Sequence, residues 1–184
     1  MTEVVEGDGL RLRRATADDV DFLLELETDE DVEPFLEAGL ARTREEVVDE
    51  IERQRETPRD RGRLVIEVER NAAWSRAGTM SFELVNRRSR IARLGRLAVH
   101  PRFRGQHLSD AAARLLQRHL LFELDYHRLE VEIYGFNERA QRHAERSGFV
   151  REGVRRKAYW RDGEWVDGVV YGLVREDLDA EERA

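Results

Sequence analysis

The chain has 184 residues, no cysteine and a formal net charge of −7, although charged residues make up 39% of it. That length suits one domain with a real buried core, and the missing cysteines exclude disulfides, thiolate metal sites and thiol nucleophiles. No apolar run approaches a membrane span, no N-terminal signal layout is visible, and the net acidity argues against general nucleic-acid binding, so a cytoplasmic protein without membrane or nucleic-acid partners is expected.

Basic charge is carried almost wholly by arginine, with Lys157 the single lysine. From the N-terminus, "GLRLRRA" (9–15) alternates apolar and polar residues, which predicts a half-buried strand. Thr16 then precedes Asp19, and Val20, Leu23, Leu24 and Glu27 continue at helical spacing. "TREE" (43–46) reads as a capping box that opens a second helix, with Val47, Val48 and Ile51 as its apolar stripe. After Pro58 the period changes: 63–69 and 78–85 read as strands joined by a polar turn over Asn71–Ala77.

"IARLGRLAVH" (91–100) is a third strand of this group, reached through the "NRRS" turn. A helix follows, its predicted inner face formed by Leu108, Ala111, Ala112, Leu115, Leu116, His119 and Phe122. "RLEVEIY" (128–134) alternates as a strand, Asn137 caps a short helix, and Gly148 ends it. Two closing strands, near 149–159 and 166–174, flank "WRDGEW", where Asp162-Gly163 signals a tight hairpin. The predicted order is strand, two helices, three strands, helix, strand, helix, two strands.

The segment "HPRFRGQHLSDAAARLL" (100–116) places Arg102, Arg104 and Gly105 between a strand and an amphipathic helix. Unpaired N–H groups at a helix start receive phosphate without lysine, whereas a plain solvated turn would look the same locally. With "LEVEIYGFNERAQRHAERSGFVREG" and "YWRDGEWVDGVVYGLVRED" added, the chain resembles the GNAT superfamily of acyl-CoA-dependent N-acyltransferases over about residues 9–178. It looks most like the branch with ribosomal-protein N-terminal acetyltransferases. That resemblance implies one α/β domain over 1–184, with a mixed, mostly antiparallel sheet of about six to seven strands flanked by about four helices.

The resemblance also implies a donor, acetyl-CoA, and an acceptor amine on a small molecule or a protein N-terminus. No metal is implied, and dimers are common in such families. Leu97, Ala98 and Val99 would bond the pantetheine arm through their backbone. Arg104-Gly105-Gln106-His107-Leu108-Ser109 would hold the pyrophosphate, and Asn137 would lie near the pantetheine. Later positions of that loop motif, small elsewhere in the family, hold His107 and Ser109 here; His107 either projects aside within an ordinary helical turn, which is the favoured expectation, or blocks the cofactor.

His143 falls where many relatives carry a tyrosine that protonates the leaving thiolate, and imidazole titrates near neutrality. For the general base, the strand patterns single out Glu83 first and Glu130 second, with Glu132 on the same polar face as Glu130. Each of these glutamates equally fits a solvated strand face. Trp160, Trp165 and Tyr171 fit cross-strand packing, with Tyr159 or Trp160 bordering the acceptor. The acidic run "ETDEDVEPFLE" (27–37) fits either a solvated connection or a rim that attracts an amine. Two alternatives remain: a CoA-binding or regulatory module without catalysis, and an RNA- or ribosome-associated protein built on the arginines.

Overall fold

The computed structural model describes residues 4–36 and 43–181; Glu37, the last residue of the acidic run, lies outside them. The strands are β1 (Val4–Gly7), β2 (Leu10–Arg14), β3 (Arg61–Arg70), β4 (Ala73–Asn86), β5 (Ile91–Val99), β6 (Arg128–Tyr134), β7 (Val150–Arg161) and β8 (Glu164–Val174). The helices are α1 (Val20–Glu27), α2 (Arg44–Glu56), α3 (Leu108–Arg118), α4 (Glu138–Arg146) and α5 (Arg175–Glu181). All eight strands form one sheet in the order β1-β2-β3-β4-β5-β6-β8-β7, antiparallel except for β5 against β6.

Alternation along the strands sends apolar side chains to both faces. On one face Leu64, Ile66, Phe82, Leu94, Leu129 and Tyr171 pack with Leu116, Leu120 and Leu121, which belong to α3 and the helical turn after it. On the other, Val65 packs with Val20, Leu23, Val47 and Ile51 of α1 and α2. The box at Thr43 fixes the start of α2: its hydroxyl accepts from Glu46 N at 3.2 Å while the Glu46 carboxylate accepts from Thr43 N at 2.9 Å.

Four details depart from the sequence reading. β1 and α5 are additional elements. The turn between β3 and β4 shrinks to Asn71 and Ala72, both at positive φ, because β4 already begins at Ala73. The inner face of α3 is rotated: Ala111 and Phe122 are exposed, while Ala113, Gln117 and Leu121 are buried. Here α3 runs into a π-helical turn, His119–Glu123, closed by Leu124 N donating to His119 O at 3.0 Å. A wider turn carries an extra residue, which accounts for Leu121 turning inward and Phe122 outward; Ala111, Ala113 and Gln117 lie before it, where α3 is simply rotated relative to the sequence reading.

The feature that creates a cleft is a split in the sheet. β5 and β6 pair only through Ile91↔Arg128, Ala92↔Leu129 and Arg93↔Glu130, after which they separate. On its other edge β5 carries a bulge, with Arg96 and Leu97 opposite Met80 alone, and Arg96 sits at φ +53°. A bulge bends its strand and increases the twist, which turns the second half of β5 away from β6. The strained residue is held in place by a bidentate pair from Arg96 to Glu50, at 2.5 and 2.6 Å.

Candidate active site

Along the split lies a cavity of about 760 Å³, lined by β5, β6 and the start of α3. Leu97, Ala98 and Val99 form one lip, beyond the last β5–β6 pair, and Tyr134 stands on the other. At the end of β5 a single 3₁₀ turn, Pro101–Phe103, buries Phe103 and delivers the chain to α3. Gly105 has φ +77°, and a Cβ built there would meet nothing within 4 Å. Among the described residues, the main-chain N–H groups from Gly105 through Ser109 find no acceptor within the chain. That run of donors at a helix start, with open space above it, fits a diphosphate.

The side chains of this loop do not crowd the cradle. Arg104 turns away to Asp31 at 2.8 Å and Asp29 at 3.4 Å, and its Nε donates to Val99 O at 3.3 Å. Gln106 accepts from Arg70 at 2.8 Å. His107 does not lie in an ordinary helical turn as expected; it is the N-cap of α3 in the left-handed region, at φ +55°. Its side chain is 88% exposed, so the imidazole leaves the cradle open.

The left-handed backbone conformation costs a non-glycine residue about 1–2 kcal/mol. His107→Gly is therefore expected to preserve affinity for CoA and to raise stability by about 0.5–1 kcal/mol, the gain being trimmed by glycine's larger unfolded-state entropy. Denaturant midpoints and calorimetry with CoA measure both. A large loss of affinity would make the imidazole a ligand.

Asn137 is buried and caps α4, its Oδ1 accepting from Ala140 N at 3.0 Å. His143, one face further along α4, lines the cavity with 17% of its side chain exposed, and its Nδ1 lies 2.7 Å from Asp110 Oδ1. Asp110, in the first turn of α3, was not among the expected site residues. Burial pushes its carboxyl upward, but hydrogen bonds from His143, Arg146 and His107 outweigh that and hold it below the usual carboxylate range. Burial pushes the His143 imidazole below its ordinary value of 6.5, against the upward pull of Asp110. The ring is consequently neutral at pH 7, with Nδ1–H donated to Asp110 and Nε2 left as an acceptor.

The three strand glutamates separate by depth. Glu83 is 63% exposed and stands between Arg61 and Arg93 in adjacent strands, 3.9 Å from Arg93. Glu130 pairs with Arg128 at 2.9 Å and is not part of the cavity wall. Glu132, two residues further on the same face, lines the cavity, is only 11% exposed, and pairs with Arg155 at 2.7 Å. Alternation gives a strand residue its face but not its depth, so only the structure distinguishes them. Trp160 and Trp165 pack edge to face on the outside of the β7–β8 hairpin, Tyr171 is fully buried, and Tyr159 reaches the cavity beside Tyr134.

Among the described residues no cluster of three or more His, Asp or Glu side chains is placed to hold a metal, and no helix is long and apolar enough to cross a membrane.

A model of the acetyltransferase (GNAT) domain matches residues 9–150. The SPbeta prophage-derived uncharacterized N-acetyltransferase YokL of Bacillus subtilis is 31% identical over 83 residues, 45% of this chain; the match spans 47% of that relative's length. A crystal structure named only as an acetyltransferase is 28% identical with a TM-score of 0.78, covering 100% of this chain and 92% of its own. Ribosomal L7/L12 alpha-N-protein acetyltransferase RimL, solved in complex with coenzyme A, has a TM-score of 0.79 at 19% identity, over 94% of this chain and 98% of its own. A chimera of spermidine N-acetyltransferase SpeG from Vibrio cholerae with hSSAT has a TM-score of 0.81 at 17% identity, over 94% and 99%. At these last identities the likeness is one of fold.

Proposed function

The chain belongs to the GNAT acetyltransferase family, and from that premise we propose that it moves an acetyl group from acetyl-CoA to a primary amine by direct attack. The observation that carries this reading is the run of unbonded N–H groups from Gly105 through Ser109 at the end of the split between β5 and β6. Those groups would hold the diphosphate, the free edge of β5 at Leu97, Ala98 and Val99 would bond the pantetheine arm, and Asn137 would border it. A thioester supplies an already activated acyl group. The protein's work is then to align the amine, polarise the carbonyl with a β5 N–H and manage protons.

An alkylammonium must lose two protons on becoming an amide, one before attack and one after. Glu132, the carboxylate on the β6 lip, takes the first to solvent through water. Glu83 and Glu130 lie in an alternating cross-strand row with Arg61 and Arg93, and this reading gives the base role to Glu132 in their place. His143 handles the second. With Nδ1–H given to Asp110, its Nε2 must accept a proton before it can deliver one, so it receives the proton of the attacking nitrogen and passes it to the departing sulfur.

Glu132→Gln is expected to lower kcat/KM about tenfold at pH 7, and the deficit shrinks as pH rises because the amine then arrives deprotonated. A deficit that is constant with pH assigns Glu132 a structural part only. The reading as a whole is tested by thermal shift with CoA and acetyl-CoA, followed by thiol release across an amine panel. Ligand at about 100 times its Kd should stabilise the fold by about 2.7 kcal/mol, with turnover of at least one amine. Stabilisation without any turnover would favour the non-catalytic CoA-binding module.

A further inference from the structure

The charges that line the cavity restrict the acceptor further. Of its carboxylates, Asp31 is held by Arg104, Glu50 by Arg96, Asp110 by His143 and Glu132 by Arg155. Glu83 is the loosest, and two arginines flank it. The cations are less well matched. Arg61 has no carboxylate within ion-pair distance among the described residues, and Arg53 donates to a main-chain oxygen, Asp49 O, at 3.2 Å. Beneath them Arg63, 4% exposed, bonds Glu27 through Nη2, while its Nε and Nη1 have no hydrogen-bond partner among the described residues.

These arginines are connected to the split by a low floor. Register places Arg63, Ser81 and Gly95 side by side on β3, β4 and β5, with Arg61, Glu83 and Arg93 in the parallel row two residues away. Two residues of strand are about 7 Å. Serine and glycine raise no barrier between the rows, so a ligand with its nitrogen at the split beside Gly95 extends over them toward Arg61 and Arg93. A polyamine would carry its second ammonium among these arginines, where the acid it meets, Glu83, already stands between Arg61 and Arg93. A carboxylate would find donors.

The geometry points to an acceptor that bears a carboxylate a few bonds from its reactive amine, held by Arg61 and Arg93, with Arg53 at the rim. Such a group comes from a free acidic amino acid or from the acidic N-terminal residues of a peptide. The position of the amine rests on the acetyl-transfer reading above; the anion subsite does not.

The test compares glutamate, a peptide beginning Ser-Asp-Glu, phenethylamine and spermidine as acceptors by thiol release at saturating acetyl-CoA. Expected is a kcat/KM at least tenfold higher for one acidic acceptor than for spermidine, and the more active of the two acidic arms identifies the source. In the double variant Arg61→Glu/Arg93→Glu the ratio of acidic to neutral acceptor should fall at least tenfold, through KM. Arg61→Gln/Arg93→Gln, milder for folding, should lower it in the same direction. Because a ratio is read, partial unfolding does not mimic the effect. Spermidine equal to or better than both acidic acceptors, or a ratio unmoved by both variants, overturns the inference. If no amine reacts, calorimetry with glutarate on the CoA-loaded protein decides. Binding that the charge reversal abolishes upholds the subsite and removes acetyl transfer; no glutarate binding to the wild type overturns the subsite as well.

Discussion

Gly105→Trp is expected to abolish CoA binding while leaving the chain folded. The wild-type residue combines φ +77° with empty space where a Cβ would project, and the N–H groups that follow it have no acceptor within the described residues. An indole there covers the donors and excludes a diphosphate. The cost to the fold is confined to one residue at positive φ in an exposed loop, about 1–2 kcal/mol against a typical total of about 5–15 kcal/mol. For a chain of this size that lowers Tm by roughly 2–8 °C. Calorimetric titration with CoA should therefore go flat while circular dichroism stays native. Gly105→Ala separates the two effects: it carries the same backbone strain but little bulk, so it should lose stability and keep binding within a few-fold. Undiminished affinity in the tryptophan variant would move the phosphate site elsewhere and remove the observation on which the acetyl-transfer reading rests.

What was legible beforehand was what short-range chemistry dictates. The capping box at Thr43, the Asn137 cap, the left-handed Gly148 and the Asp162-Gly163 turn are local, and each stands where it was read. The loop after β5 is different: a strand, a glycine and a helix start fit a solvated turn as well as an anion cradle, and only the resemblance to a family favours the cradle. β1 escapes the sequence pattern although Asp8-Gly9 carries the same turn signature as Asp162-Gly163, with φ +48° and +72°. The strand it announces is only Val4–Gly7, too short for alternation to register. The side-chain chemistry was illegible for a different reason. Asp110 meets His143 across 33 positions and Arg104 meets Asp31 across 73, and nothing local encodes either meeting. The π turn after α3 is likewise silent in sequence, yet it turns Phe122 out to solvent.

Replacing His143 with alanine should lower kcat by about 100-fold or more, the range in which a positioned proton-transfer group contributes, with the affinity for acetyl-CoA little changed. Asp110→Asn tests whether the carboxylate acts through the ring. Asparagine still accepts from Nδ1–H, so the ring keeps its orientation, and a loss nearer tenfold is expected. What asparagine lacks is the charge that pulls the imidazole upward. The ring's value should then drop further, and the acidic limb of kcat/KM should move to lower pH. A purely structural Asp110 would reduce the rate without moving that limb. The same ring leaves a mark on stability whose sign is fixed. Its folded value lies below the unfolded value of about 6.5, so the unfolded chain binds the extra proton first as pH falls. The stabilising contribution is complete above about 6.5 and erodes as pH drops from there toward the folded value. Denaturant midpoints at pH 7.5 and 5.5 should draw apart in the wild type and close up in His143→Ala. If both variants titrated like the wild type in rate and in stability, the proton handled at the sulfur would have to come from water, and α4 would serve the site only as a wall.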